Sequence, residues 1–203
     1  MSEVTTVSRP KGWQQRIRES RLGTILVLAV TAAVVMAGVY LVDRPAAAQP
    51  GVQAVELSGP GGGAPPKIGS ASQDFTATTV DGTKVSLSQY KGQPVWLTFG
   101  ASWCAACKAE APDIEAAYQK HKADGLVVLF VSISEDSATV RDYTDRIGLT
   151  FPQIADPDTR IASAYRVNGI PAHYFIDGSG VLRLMKTGGL SPDQMDAAVA
   201  AIS

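Results

Sequence analysis

Cysteine is scarce in this chain: 203 residues hold two, Cys104 and Cys107, so no framework of several disulfides can staple it. Runs rich in Lys and Arg are missing beyond the N-terminal tail. With a net charge of -1 and no basic stripe, nucleic acid is excluded as an expected partner. Aromatic residues make up 7% and are scattered, and no internal repeat is visible. Histidine occurs twice, at His121 and His173, so any metal site has few ligands to draw on. Apolar residues are plentiful at 45%, enough to bury a core.

One apolar run is unbroken. Leu22 to Val42 carries no charge over 21 residues, long enough to cross a bilayer as a helix. Arg9, Lys11, Arg16, Arg18 and Arg21 precede it, and Arg44 alone follows before Lys67. By the positive-inside rule the N-terminus is expected in the cytoplasm, with everything after Asp43 outside. Ala46-Ala47-Ala48 matches a signal-peptide cleavage pattern, which would release a secreted product; the length of the apolar run favours an uncleaved anchor. The chain therefore divides into a cytoplasmic tail over 1–21, with Trp13 as an interfacial anchor, a transmembrane anchor over 22–42, a Pro/Gly/Ala-rich linker over 43–66 and a globular domain over 67–203.

Both cysteines fall in Trp103-Cys104-Ala105-Ala106-Cys107. Thiols three positions apart can close a small disulfide ring, which makes the pair a candidate redox switch. The β-prone run Val95 to Phe99 precedes it and a helical pattern from Lys108 to Tyr118 follows. Cys104 is then expected near a helix N-terminus, where unpaired amides and the helix dipole favour a thiolate nucleophile. Two alternatives stay open on these residues: a static disulfide, and a copper or zinc site completed by His173.

The remaining pattern is α/β. Asp74 to Val80 and Lys84 to Leu87 flank Asp81-Gly82 as a hairpin. Leu126 to Ile133 reads as a second buried strand, parallel to the first through the intervening helix. Val140, Tyr143 and Ile147 mark an amphipathic helix ending at Gly148, and Phe151 to Ala155 is extended. A further helix is expected from about Asp158 to Tyr165. Ala172 to Ile176 and Val181 to Met185 form a hairpin through Asp177-Gly178-Ser179-Gly180. The last helix opens with Ser191 as N-cap, Pro192 and a Gln194 capping box, and Met195, Ala198, Val199 and Ile202 are its buried stripe.

A strand ending at Trp-Cys-x-x-Cys, a helix, a further βα pair, then Gly169-Ile170-Pro171 opening a hairpin before a terminal helix: this order resembles the thioredoxin fold. It is most similar to the membrane-anchored TlpA/ResA group of thiol-disulfide oxidoreductases, whose W-C-x-x-C-x-x-E-x-P motif is matched from Trp103 to Pro112. The resemblance covers Phe75 to Ile202. It implies a thioredoxin-like three-layer α/β/α domain with a mixed central sheet, an N-terminal β-hairpin and an inserted strand-helix segment at about Ser137 to Asp156.

The resemblance also implies roles. Cys104 is the attacking and Cys107 the resolving cysteine, with Glu110 beside them as proton acceptor. Pro171 is a cis-proline that leaves the backbone of Ile170 free for a substrate peptide, and Trp103 shapes docking. Trp96 reads as core. Glu135 matches an acidic position of some members, although a strand-end carboxylate usually reads as merely solvated. The reaction expected is reduction of protein disulfides, as in cytochrome c maturation, with no cofactor beyond the Cys104-Cys107 disulfide and no metal. Apocytochrome c or copper-insertion proteins are the substrates implied, and a membrane thiol transporter of the CcdA type is the electron donor. The alternatives are a disulfide-forming oxidant and a copper-binding chaperone with little turnover. A peroxidase fits less well, since Ala101-Ser102-Trp103 stands where a Thr-x-x-Cys setting is expected.

Three positions depart from the group. Ala106 replaces a common Pro, Thr98 stands where cytosolic thioredoxins bury an Asp, and His173 replaces a small or hydroxylated residue.

Overall fold

The computed structural model describes residues 21–42, 56–58 and 65–203. Apart from Arg21 the expected cytoplasmic tail lies outside the described residues, as do Ala46-Ala47-Ala48 and most of the expected linker. The chain divides into two units, Met1–Gln49 and Pro50–Ser203.

In the first unit, α1 spans Arg21–Val42. Its window Gly23–Tyr40 has a mean hydropathy of 2.2, and Ile25, Leu28, Val34 and Met36 all stand exposed. The Thr31 hydroxyl donates to the Val27 carbonyl at 2.8 Å, so this polar group is satisfied inside the helix, as a hydrocarbon surround requires. Among the described residues this is the one helix long and apolar enough to cross a membrane.

The second unit is built on β4, Val95–Gly100, buried at every position. Side chains alternate across a strand, so Val95, Leu97 and Phe99 join one core while Trp96 joins the other. Five strands make the central sheet: β5 (Val127–Ile133) and β6 (Gln153–Asp156) run parallel to β4 on one side. On the other side β7 (Ala172–Ile176) is antiparallel to β4 and β8 (Leu182–Thr187) antiparallel to β7. Parallel strands buried on both faces read as apolar runs, which is why β4 and β5 are visible in the sequence.

Helices α2 (Ala105–His121) and α5 (Pro192–Ala200) cover one face through Ala111, Ile114, Met195 and Val199. Helix α3 (Ser137–Ile147) adds Tyr143 to that core and ends at Gly148, whose φ of +80° suits glycine. The opposite core takes Ile161 and Ala162 from α4 (Arg160–Ala164) and Phe75 and Val85 from a hairpin of β2 (Asp74–Thr78) and β3 (Lys84–Ser86). The result is the three-layer, thioredoxin-like arrangement with a mixed central sheet. One strand lies within the stretch expected to be linker: β1, Glu56–Ser58, pairs antiparallel with β2. It is a β-prone patch between Gly51 and Gly59, locally free of Pro and Gly.

The α5 capping box forms as its sequence dictates, with Ser191 and Gln194 bonding each other's backbone amides. Helix α2 begins three residues earlier than its apolar pattern indicates, because Cys104 supplies the cap.

The β7–β8 turn is tied by Asp177. Its Oδ1 accepts the N–H groups of Ser179 and Val181 at 2.9 and 3.0 Å, and Arg183 Nε donates to Oδ2 at 2.5 Å. Burial pushes the Asp177 carboxyl up, but these donors and the Ser179 hydroxyl outweigh it and hold it down at about 2. A carboxyl depressed on folding contributes stability above its unfolded value near 4, and that contribution is lost as pH falls through its folded value. Chemical denaturation at stepped pH is expected to show the full-length chain weakening between about pH 4 and 2, with the Asp177→Asn variant flatter over that window.

Candidate active site

Where β4 ends, the backbone has no room for a side chain. A Cβ on Gly100 would meet Phe130 Cζ at 2.6 Å, so any other residue there would have to displace the buried Phe130 ring. Beyond it Ala101 is fully buried, and Cys104 caps α2. Its Sγ accepts the Cys107 N–H at 3.1 Å, the place an N-cap oxygen normally takes. Cys104 and Cys107 are joined as a disulfide across a Cα–Cα distance of 5.3 Å. Cys104 is 8% exposed and Cys107 1%, so the capping cysteine is the more accessible of the two.

Facing the pair is a cis peptide bond between Ile170 and Pro171. Ile170 is half-buried and packs with Ile133 against Ala101, Cys104 and Cys107. Pro171 spends its carbonyl on the Gly188 N–H at 2.8 Å. Among the described residues the N–H and C=O of Ile170 make no backbone hydrogen bond, leaving an open edge beside the sulfurs. Trp103 is 60% exposed, so it fills no core; it stands at the rim. Trp96 is fully buried and stacks on Phe175 with ring centroids 5.0 Å apart.

Two of the buried acids belong to the segments around the cysteine pair. Glu110, one helical turn after Cys107, is 6% exposed, and its Oε2 accepts the Leu190 N–H at 3.2 Å. Its Oε1 lies 3.4 Å from His173 Nε2. His173 is fully buried on β7, and its Nδ1 faces Trp96 Nε1 at 3.3 Å and Thr98 Oγ1 at 3.0 Å. Its two nitrogens therefore face Trp96 and Thr98 on one side and Glu110 on the other. Among the described residues no three of His, Cys, Asp and Glu are grouped to hold a metal ion.

The second acid corrects an expectation. Glu135 is 7% exposed rather than solvated, and its carboxylate accepts the Ser102 N–H at 2.9 Å and the hydroxyls of Ser102 and Ser132. Ser134, in the left-handed region at φ +56°, stands between Ser132 and Glu135 at the end of β5. Glu135 thus holds the loop two residues before the capping cysteine. The sequence signal for this was Ser-x-Ser-Glu at the end of a buried strand, where a carboxylate has hydroxyls to meet.

Comparison with known proteins agrees with this geometry. A profile of the AhpC/TSA family matches residues 68–185. The thiol-disulfide oxidoreductase ResA of Geobacillus kaustophilus is 32% identical over 129 residues, covering 64% of this chain and 74% of the relative. Among solved structures, a thioredoxin-family thiol:disulfide interchange protein from Chlorobium tepidum superposes with a TM-score of 0.62 at 25% identity, covering 68% of this chain and 99% of that one. The dsbF of MTB, solved in mixed oxidised and reduced forms, gives 0.59 at 27%, covering 64% and 95%.

Replacing Glu135 with Ala would strand the Ser102 N–H and the fully buried Ser132 hydroxyl. Each buried group left unsatisfied costs about 1–3 kcal/mol. Denaturant titration of the Glu135→Ala chain is expected to show a loss of that order, and thiol-reactivity measurements a less ordered Cys104.

Proposed function

We propose that this chain, which belongs to the AhpC/TSA family, is a membrane-tethered reductant of protein disulfides. It is a thiol-disulfide oxidoreductase similar to ResA, and its substrates are protein disulfides. The observation that carries the reading is a disulfide whose outer cysteine caps a helix, set against a cis-proline edge.

In the reduced form the Cys104 thiolate attacks one sulfur of a substrate disulfide. A Cys104–substrate bond forms, the substrate S–S bond breaks, and the other substrate sulfur leaves as a thiolate that takes up a proton. Cys107 then gives its proton to the Glu110 carboxylate and attacks Cys104 Sγ. The Cys104–Cys107 bond forms and the second substrate thiolate leaves. Two electrons have passed to the substrate, and a dithiol donor must return them. The cysteine pair carries both electrons, so no further cofactor is called on. Ile170 offers its free backbone edge to an extended substrate peptide, and Trp103 supplies an apolar rim.

The reductant reading is supported by the acids near the pair. A strong oxidant such as DsbA owes its potential to a stabilised reduced form. Here the Cys107 amide on the Cys104 sulfur favours the thiolate, and the buried acids Glu110 and Glu135 on the flanking segments oppose it. Acids beside a thiol disfavour the thiolate, which favours the disulfide over the dithiol and makes the pair reducing. Such a reductant, outside the membrane and held by α1 with its N-terminus in the cytoplasm, suits the haem-binding cysteines of apocytochrome c or the cysteines of copper-insertion proteins. A CcdA-type membrane transporter is the matching donor. A peroxidase, which the family name would admit, lacks its Thr-x-x-Cys setting here.

The full-length chain, equilibrated in detergent against glutathione or dithiothreitol buffers, is expected to have a potential near that of thioredoxin, about -270 mV, and a value near that of DsbA, about -120 mV, would overturn the reductant reading. A Cys107→Ser chain cannot resolve its mixed disulfide. Expressed in a bacterial envelope it is expected to trap a protein on Cys104, and recovery of small thiols alone would count against a dedicated protein substrate.

A further inference from the structure

His173 is a fully buried imidazole that the exchange steps above do not use. Its surroundings restrict it chemically. An indole N–H can only donate, so Trp96 Nε1, 3.3 Å away, requires a lone pair on Nδ1. The neutral ring then carries its proton on Nε2. The Thr98 hydroxyl, 3.0 Å from the same Nδ1, can donate or accept and so fits either tautomer, which leaves the Trp96 N–H to set it. Nε2 has no hydrogen-bond partner among the described residues, yet Glu110 Oε1 lies 3.4 Å from it. Glu110 is held from its other side by the Leu190 N–H on Oε2.

We infer that His173 is a positioning residue: locked by Trp96 with its proton on Nε2, it presents that N–H to Oε1 of Glu110 and fixes the carboxylate for its proton exchange with Cys107. The inference rests on the reading of Glu110 as proton acceptor. The chain Trp96, His173, Glu110 runs from the core to one turn beyond Cys107: its first step is a hydrogen bond onto Nδ1, and its second is the 3.4 Å approach of Nε2 to Oε1. Because β7 is antiparallel to β4 with His173 opposite Thr98, the ring is anchored by the sheet and the carboxylate by the helix.

The tautomer can be read directly on the unmodified full-length chain. The ring ¹⁵N shifts of His173 are expected to be pyridine-like at Nδ1 and pyrrole-like at Nε2, and the reverse assignment overturns the inference. The function can be read in two steps. On mixing reduced chain with DTNB, the first thionitrobenzoate reports attack by Cys104 and the second reports resolution by Cys107. His173→Asn keeps an acceptor for Trp96 but cannot reach Glu110. It is expected to leave the first step unchanged and to slow the second about 10- to 100-fold, the size of a hydrogen bond to a charged group. His173→Gln, which can reach Glu110 with an N–H, is expected to restore most of the second step. Glu110→Gln should slow that step too, and adding His173→Asn to it should cost nothing further. If Glu110→Gln slows resolution while His173→Asn does not, His173 is a core residue only and the inference falls alone. If Glu110→Gln leaves resolution unchanged, the acceptor reading falls and takes the inference with it.

Discussion

In the pairing of β4 with β7, Phe99 stands opposite Ala172 and Thr98 opposite His173. That register brings the turn containing cis-Pro171 to the strand end from which the cysteines emerge. Slipping it by one residue would invert every side chain of β7, turning Phe175 and His173 toward the hairpin core and Tyr174 toward α2. The register is fixed by burial on both faces, since all five residues of β7 and all six of β4 are inside. The redox end is thus positioned by the apolar middle of the sheet.

Within that frame the domain buries several carboxylates, which is unfavourable unless each is hydrogen-bonded. Asp156 illustrates the compensation away from the cysteines. Burial pushes its carboxyl up, while the N–H groups of Ala162, Ile161 and Arg160 pull against that shift and begin α4. Glu135 is compensated by an amide and two hydroxyls. Glu110 has an amide on one oxygen and only the imidazole facing the other. The acid nearest in sequence to the resolving cysteine is therefore the one with hydrogen-bonding capacity left for a proton.

Much of this was legible because the relevant signals are local. Val95 to Phe99 reads as a buried strand from its own composition, the α5 cap from four adjacent residues, and the cysteine pair from a spacing of three. What was hidden lies between residues far apart in the chain: Ser102 with Glu135, 33 positions on, and Trp96 with His173, 77 positions on. Those meetings depend on strand register, which no short window encodes. A partial signal existed in Ala172-His173-Tyr174-Phe175-Ile176, an apolar strand interrupted by one imidazole that must find partners on its own face. Trp96 and Thr98, two apart on β4, share that face.

Trp96 shows how packing and chemistry can share one side chain. By volume and by its stacking on Phe175 it is an ordinary core residue, and phenylalanine would fill most of its space. Phenylalanine has no N–H, so a Trp96→Phe core would leave His173 free to carry its proton on either nitrogen. A search for variants scored on melting temperature would register only the smaller ring and the lost hydrogen bond, and would not see the freed proton. In this domain, tolerance to repacking and preservation of proton handling are separate properties, and they part company at an indole nitrogen buried in the middle of the sheet.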